Sequence, residues 1–146
     1  MCMMLYLGSD NALPIIRQEN TEDGLSMQPL SVHKLDESFD DYEYVSEQLS
    51  KKFRYLVNSW QGCGCGFHFD NNNKKHHSDS NKFGKQSLEA LFEYIRVNVR
   101  SDECELFSMW NREPKMVHRT VIDLRDFNIG DSFRFLEGQY ITVYKL

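Results

Sequence analysis

The chain has 146 residues and a formal net charge of −5, a length that suits one domain with one ordinary core. Because an acidic surface repels phosphate backbones, the charge disfavours nucleic-acid binding. No run of about 18 apolar residues occurs, so no membrane-spanning helix is predicted. The apolar stretch at residues 1–7 lacks a basic region before it and predicts a strand, not a signal peptide. We therefore expect a cytoplasmic protein whose four cysteines stay reduced and form no disulfide framework.

The first half of the chain predicts two strands, a helix and a third strand. Residues 2–7 and 30–35 have the short apolar patterns of strands. Tyr42, Val45 and Leu49 then fall on one helical face, and Ser38 is placed to cap that helix. Residues 53–60 are rich in aromatic and β-branched side chains, so they predict a strand that leads directly into a glycine- and cysteine-rich segment.

The second half predicts a longer helix between two strands. Residues 70–85 are polar and of low complexity, which predicts a mobile loop. The helix after this loop has Ser87 as its predicted cap. One face of the helix carries a stripe of apolar residues: Leu88, Leu91, Phe92, Ile95 and Val99. A strand is expected at residues 105–110, so the order strand, helix, strand predicts a β-α-β crossover between parallel strands.

The C-terminal third has the composition of strands alone. Residues 116–124 alternate in part, and residues 133–136 are expected to pair with 140–144 as a hairpin. The whole chain therefore predicts a single α/β domain, or an α+β one, with a mixed sheet and about two helices.

The segment with the most distinctive chemistry runs Gly-Cys-Gly-Cys-Gly-Phe from position 62 to position 67. It contains Gly62, Cys63, Gly64, Cys65 and Gly66. Glycine is used where the backbone needs a positive φ or a close approach, and free cysteines are often small buried residues. A structural role is therefore the default, and it is compatible with a binding site at residues 62–68.

Metal binding is one chemical alternative at this segment. Cys63, Cys65 and His68 offer three soft ligands within six residues, a set that can hold zinc or another thiophilic ion. Several other side chains could complete a tetrahedron: Asp70, His76, His77, Cys104 or Cys2. The Cys-x-Cys spacing is tighter than that of common structural zinc sites and no second pair occurs. The sequence therefore does not establish a cofactor.

A reactive thiol is a second alternative. A nucleophilic Cys63 or Cys65 needs a base within hydrogen-bond reach, and His68 and His118 are candidates that lie outside the polar loop. A nucleotide-binding loop is disfavoured, because about twenty residues separate Gly66 from the helical stripe, whereas that fingerprint opens directly into a helix. The sequence thus favours a binding role over catalysis.

Two further features suggest binding surfaces. Trp60 and Trp110 each end a predicted strand beside the second helix, where ligands of parallel sheets gather, so they can line one pocket with the Gly/Cys segment. The acidic residues at 36–41 also suit an interaction module, such as an inhibitor or immunity-like protein for a basic partner. A protein partner and self-association both stay open.

Residues 63–67, together with the opening residues 2–9, carry a resemblance. The chain resembles a small family of bacterial proteins of unknown function that combine an N-terminal strand with a CGCGF-like segment. The resemblance implies a bacterial cytosolic protein and supplies no activity and no catalytic residues.

Overall fold

The computed structural model describes residues 2–19, 28–72, 78–110 and 117–145. Its strands are β1 (Met4–Ser9), β2 (Ser31–Lys34), β3 (Phe53–Asn58), β4 (His68–Asp70), β5 (Glu103–Met109), β6 (His118–Asp123), β7 (Ser132–Arg134) and β8 (Gln139–Tyr144). Its helices are α1 (Tyr42–Gln48) and α2 (Ser78–Asn98), and Gly64–Gly66 forms a single 3-10 turn. Neither described helix has the length and apolar character needed to span a bilayer.

A six-stranded mixed sheet organises the fold, with the strand order β2-β3-β1-β5-β8-β6. β1 pairs antiparallel with both β3 and β5, so these two strands run parallel to each other with β1 between them. The chain passes from β3 to β5 through α2, which makes this connection the predicted β-α-β crossover. The predicted fold class, a single domain with a mixed sheet and two helices, is confirmed.

The two faces of the sheet carry separate apolar cores. The alternation of strand side chains sends Leu5 and Leu7 to one face and Tyr6 to the other. The first face packs against α2, and the whole predicted stripe lies in that core: Leu88, Leu91, Phe92, Ile95 and Val99. The second face is covered by α1 through Val45 and Leu49.

Both helices begin elsewhere than predicted. α1 starts at Tyr42 with Asp41 at the N-cap position, while Ser38 lies in the preceding turn, where its N–H donates to Asp36 Oδ1 at 2.8 Å. α2 starts at Ser78, so residues 78–85 of the predicted loop are helical. Residues 73–77 lie outside the described residues. Ser87 is therefore not a cap.

Close packing against β4 accounts for the earlier start of α2. Gly84 lies against the carbonyl oxygen of His68, an approach that only a residue without Cβ allows. Ser87 is buried inside the helix, and its Oγ accepts a hydrogen bond from the Trp60 N–H at 3.1 Å. These tertiary contacts stabilise helical turns that local sequence does not favour.

The predicted hairpin between residues 133–136 and 140–144 is wrong. β7 instead pairs with β4 in a separate two-stranded sheet, with Phe133 opposite Phe69. β8 pairs antiparallel with β5 on one side and parallel with β6 on the other. Because a strand has only two hydrogen-bonding edges, β8 has none left for β7. Of the two strands in the resulting β4–β7 sheet, β4 follows the Gly/Cys segment directly along the chain.

Candidate metal centre

A tight turn follows β3 and places the first cysteine. The N–H of Gly62 donates to Ser59 O at 2.9 Å, and the N–H of Ser59 donates to Cys63 O at 2.8 Å. The Ser59 hydroxyl donates to the same Cys63 carbonyl at 2.6 Å. Gly62 has a φ of 78°, a left-handed conformation that favours glycine. This position therefore has a backbone reason to be glycine.

The segment before β1 is held against the 3-10 turn. The N–H of Gly64 donates to Met3 O at 3.0 Å, and the N–H of Met3 donates to Cys65 Sγ at 3.0 Å. These two bonds join parts of the chain that are 62 positions apart at Met3 and Cys65. They also bring Cys2 beside the turn.

Three thiols meet at this point. The Sγ atoms of Cys2, Cys63 and Cys65 all lie within 4.8 Å of one another, so this group could hold a metal ion. Cys2 is exposed and the other two are half-buried, so the cluster is open to solvent on one side. Within the described ranges, no histidine, aspartate, glutamate or further cysteine joins this group.

The cluster differs in one member from the set that the sequence suggested. Cys63 and Cys65 are brought together with Cys2, which the sequence suggested only as a side chain that could complete the set, whereas His68 is outside the group. His68 lies in β4 opposite Arg134. The other suggested ligands are also elsewhere: Cys104 is buried in β5, Asp70 ends β4, and His76 and His77 lie outside the described residues.

The Cys63 thiol does not have the electrostatics of an activated nucleophile. Burial raises the pKa of the Cys63 thiol to about 12; a backbone hydrogen bond from Cys65 opposes this shift, whereas side-chain hydrogen bonds with Cys65 and Cys2 add to it. Reactive cysteines instead have a lowered pKa, produced by a cation, a helix N-terminus or a metal. A cation bound at Cys63 would have to displace this proton, because a coordinated thiol is deprotonated.

A cavity of about 550 Å³ lies beside the cluster, and Cys65 belongs to both. Its lining combines apolar and charged residues: Met3, Gly64, Cys65, Phe67, His68, Trp110, Arg134, Phe135, Leu136 and Glu137. Of the two tryptophans that were predicted to line a pocket with the Gly/Cys segment, Trp110 lines this cavity. Trp60 is not among the lining residues; its ring packs on Phe83 of α2 with the centroids 5.3 Å apart.

The positions of the segment that carry glycine require it for different structural reasons. A Cβ at Gly66 would collide with the Ser59 hydroxyl and would lie 2.8 Å from Trp60 Nε1. A Cβ at Gly64 would lie 2.7 Å from Met3 O. Glycine at position 62 therefore allows the turn after β3 to close. Glycine at position 64 allows contact with the residues before β1, and glycine at position 66 allows contact with the residues that follow β3.

Gly64→Ala is expected to separate the residues before β1 from the turn, because the added methyl group meets the Met3 carbonyl oxygen. We expect the free energy of unfolding to fall by about 1–3 kcal/mol, measured by urea denaturation. Gln61→Ala, a change of an exposed side chain in the same loop, is the control and should change it by less than about 0.5 kcal/mol. Equal stability of the two variants would contradict the close approach.

Comparisons with protein-family models, with curated proteins and with solved structures found no match to this chain. Function is therefore inferred from the geometry of the described residues.

Proposed function

We propose that this protein is a cytoplasmic binding protein whose ligand is a thiophilic metal ion, zinc in the first place, held by Cys2, Cys63 and Cys65. The observation that carries the proposal is the meeting of three Sγ atoms within 4.8 Å of one another. Thiolates are the ligands that select zinc and other soft ions. A reducing compartment keeps such thiols available for a metal.

The geometry requires little change to accept the ion. Zinc–sulfur bonds of about 2.3 Å place two sulfurs of a tetrahedron roughly 3.8 Å apart. The three sulfurs, which lie within 4.8 Å of one another, would approach to about this separation on binding the ion. The Met3 N–H that donates to Cys65 Sγ also orients one ligand, as hydrogen bonds from surrounding groups commonly do at metal sites.

We expect the metal site to serve binding and not to be needed for the protein to fold. The two apolar cores lie on the faces of the six-stranded sheet, whereas Cys2 is exposed. We therefore expect the metal-free protein to keep its fold. This separates the proposed site from those of small zinc domains, which are unfolded without metal.

The test is a titration of the reduced protein with zinc in competition with a chromophoric chelator. The parent protein should bind one ion, and Cys2→Ser, Cys63→Ser and Cys65→Ser should each weaken its binding by at least about tenfold, because each removes a thiolate ligand. Circular dichroism should report a folded protein for Cys2→Ser, whose side chain is exposed.

Cys104→Ala is the matched control, since it also removes one of the four thiols but lies buried in β5 and outside the cluster. Its zinc affinity should equal that of the parent protein. The proposal fails if the reduced parent protein binds no zinc, or if Cys104→Ala loses as much affinity as the three cluster variants.

A further inference from the structure

The thiol cluster supplies three ligands to an ion that prefers four. Structural zinc sites have four protein ligands, whereas sites that bind a further molecule have three and keep one position open. Among residues 2–19, 28–72, 78–110 and 117–145, no fourth histidine, cysteine or carboxylate joins the three sulfurs. The remaining position is therefore available to a ligand from outside these residues.

The adjoining cavity can deliver such a ligand. Its volume of about 550 Å³ lies within the range of roughly 300–1,000 Å³ that small-molecule sites have. Cys65 belongs both to the cluster and to the cavity wall, so the ion would lie at the end of this cavity. Trp110 and Leu136 are 38% and 45% exposed, which places them where a ligand would enter.

The walls favour an apolar ligand body. Phe67 and Phe135 are buried and meet edge to face with their ring centroids 6.3 Å apart, so this wall is packed before any ligand binds. Met3 and Leu136 extend the apolar surface, and Trp110 adds a third aromatic side chain. Aromatic walls of this kind bind rings and branched hydrocarbons by burial of apolar area.

One cationic side chain of the cavity lining can offset part of the charge of an anionic donor atom. Arg134 lines the cavity opposite His68 in the β4–β7 pairing, so one wall carries a guanidinium group. A zinc ion with three thiolates has a net charge of −1, and a fourth thiolate makes it −2. The Arg134 cation offsets part of this negative charge. Glu137 stands on the same lining and limits this compensation, which favours a ligand with a single anionic group.

We propose that the cavity binds a small apolar thiol whose sulfur becomes the fourth ligand of the ion. The inference rests on the proposed metal-binding function. On coordination the S–H bond breaks, its proton passes to solvent, and a metal–sulfur bond forms without any transfer of electrons. The soft ion selects the sulfur, and the aromatic cavity selects the body of the molecule.

The experiment uses the full chain loaded with Co²⁺, with a phosphine as the reductant so that no other thiol competes. The first step records the visible and thiolate-to-cobalt absorption of the protein alone. The second step adds phenylmethanethiol, 2-mercaptoethanol or phenylacetate. Phenylmethanethiol should change the cobalt spectrum and should bind at least about tenfold more tightly than 2-mercaptoethanol, because its ring is buried in the cavity.

Trp110→Ala removes one wall at the entrance and should reduce the preference for phenylmethanethiol over 2-mercaptoethanol several-fold, while the cobalt affinity stays unchanged. Val121→Ala is the control, since Val121 is 62% exposed on β6 and does not line the cavity. This variant should keep the full preference.

The two steps separate the two proposals. A protein that acquires no cobalt–thiolate absorption overturns both the metal site and the thiol site. A normal cobalt spectrum that phenylmethanethiol leaves unchanged overturns only the thiol site. Equal affinities for the two thiols, or phenylacetate binding as tightly as phenylmethanethiol, would also overturn it, since the cavity would then select neither the apolar body nor the sulfur.

Discussion

Gly84→Ala is expected to lower the free energy of unfolding by about 2 kcal/mol. The same change in an unobstructed helix interior stabilises a protein by about 1 kcal/mol, because alanine has the higher helix propensity. At Gly84 a steric clash reverses the sign of this change in the free energy of unfolding. The new Cβ would overlap the His68 carbonyl oxygen and would lie 3.2 Å from Gly66 O, and neither backbone atom can rotate away. Urea denaturation measures the change.

The same substitution should also weaken metal binding, since α2 would push β4 and the adjoining turn away from their positions. Gln86→Ala, an exposed change on the same helix, should leave both stability and zinc affinity within error of the parent protein. A Gly84→Ala variant that is more stable than the parent would contradict the close packing of α2 on β4.

Glu105→Ala is expected to lower the free energy of unfolding by about 3 kcal/mol. Glu105 is only 1% exposed in the central part of the sheet. Its carboxyl oxygens accept hydrogen bonds from the Ser50 N–H at 2.9 Å, the Ser50 hydroxyl at 2.8 Å and the Lys51 N–H at 2.7 Å. The Tyr140 hydroxyl donates to the same group. The alanine variant would leave these donors without their partner, which costs more than one hydrogen bond contributes.

Glu103→Ala is the matched control for this variant. Glu103 lies two positions earlier on β5, and its 38% exposed carboxyl group pairs with Lys51 at 3.1 Å. Because exposed ion pairs contribute little, its removal should cost less than about 1 kcal/mol. Thermal or urea denaturation of both variants measures the loss in the free energy of unfolding. Equal losses for the two variants would show that Glu105 does not stabilise the turn before β3.

Local patterns predicted the elements of this fold well where a single face is buried. The i, i+3, i+4 spacing of the α2 stripe reports directly on burial, and every member of it lies in the core. The wrong predictions concern contacts between distant segments. Ser87 has the residue type of a cap, but its hydroxyl accepts a bond from Trp60. β7 has a turn before β8, yet the edges of β8 are already occupied.

For the candidate site, too, some features follow from local sequence patterns and others from contacts between distant segments. The sequence by itself determined the class of fold, the α2 stripe and the segment that contributes two of the three clustered cysteines, because periodicity and residue type are local properties. Only the tertiary structure decided that Cys2 and not His68 is the third member of the cluster. No spacing rule reports a contact across 62 positions, since it depends on β1 lying between β3 and β5 with Met3 bonded to Gly64 and Cys65.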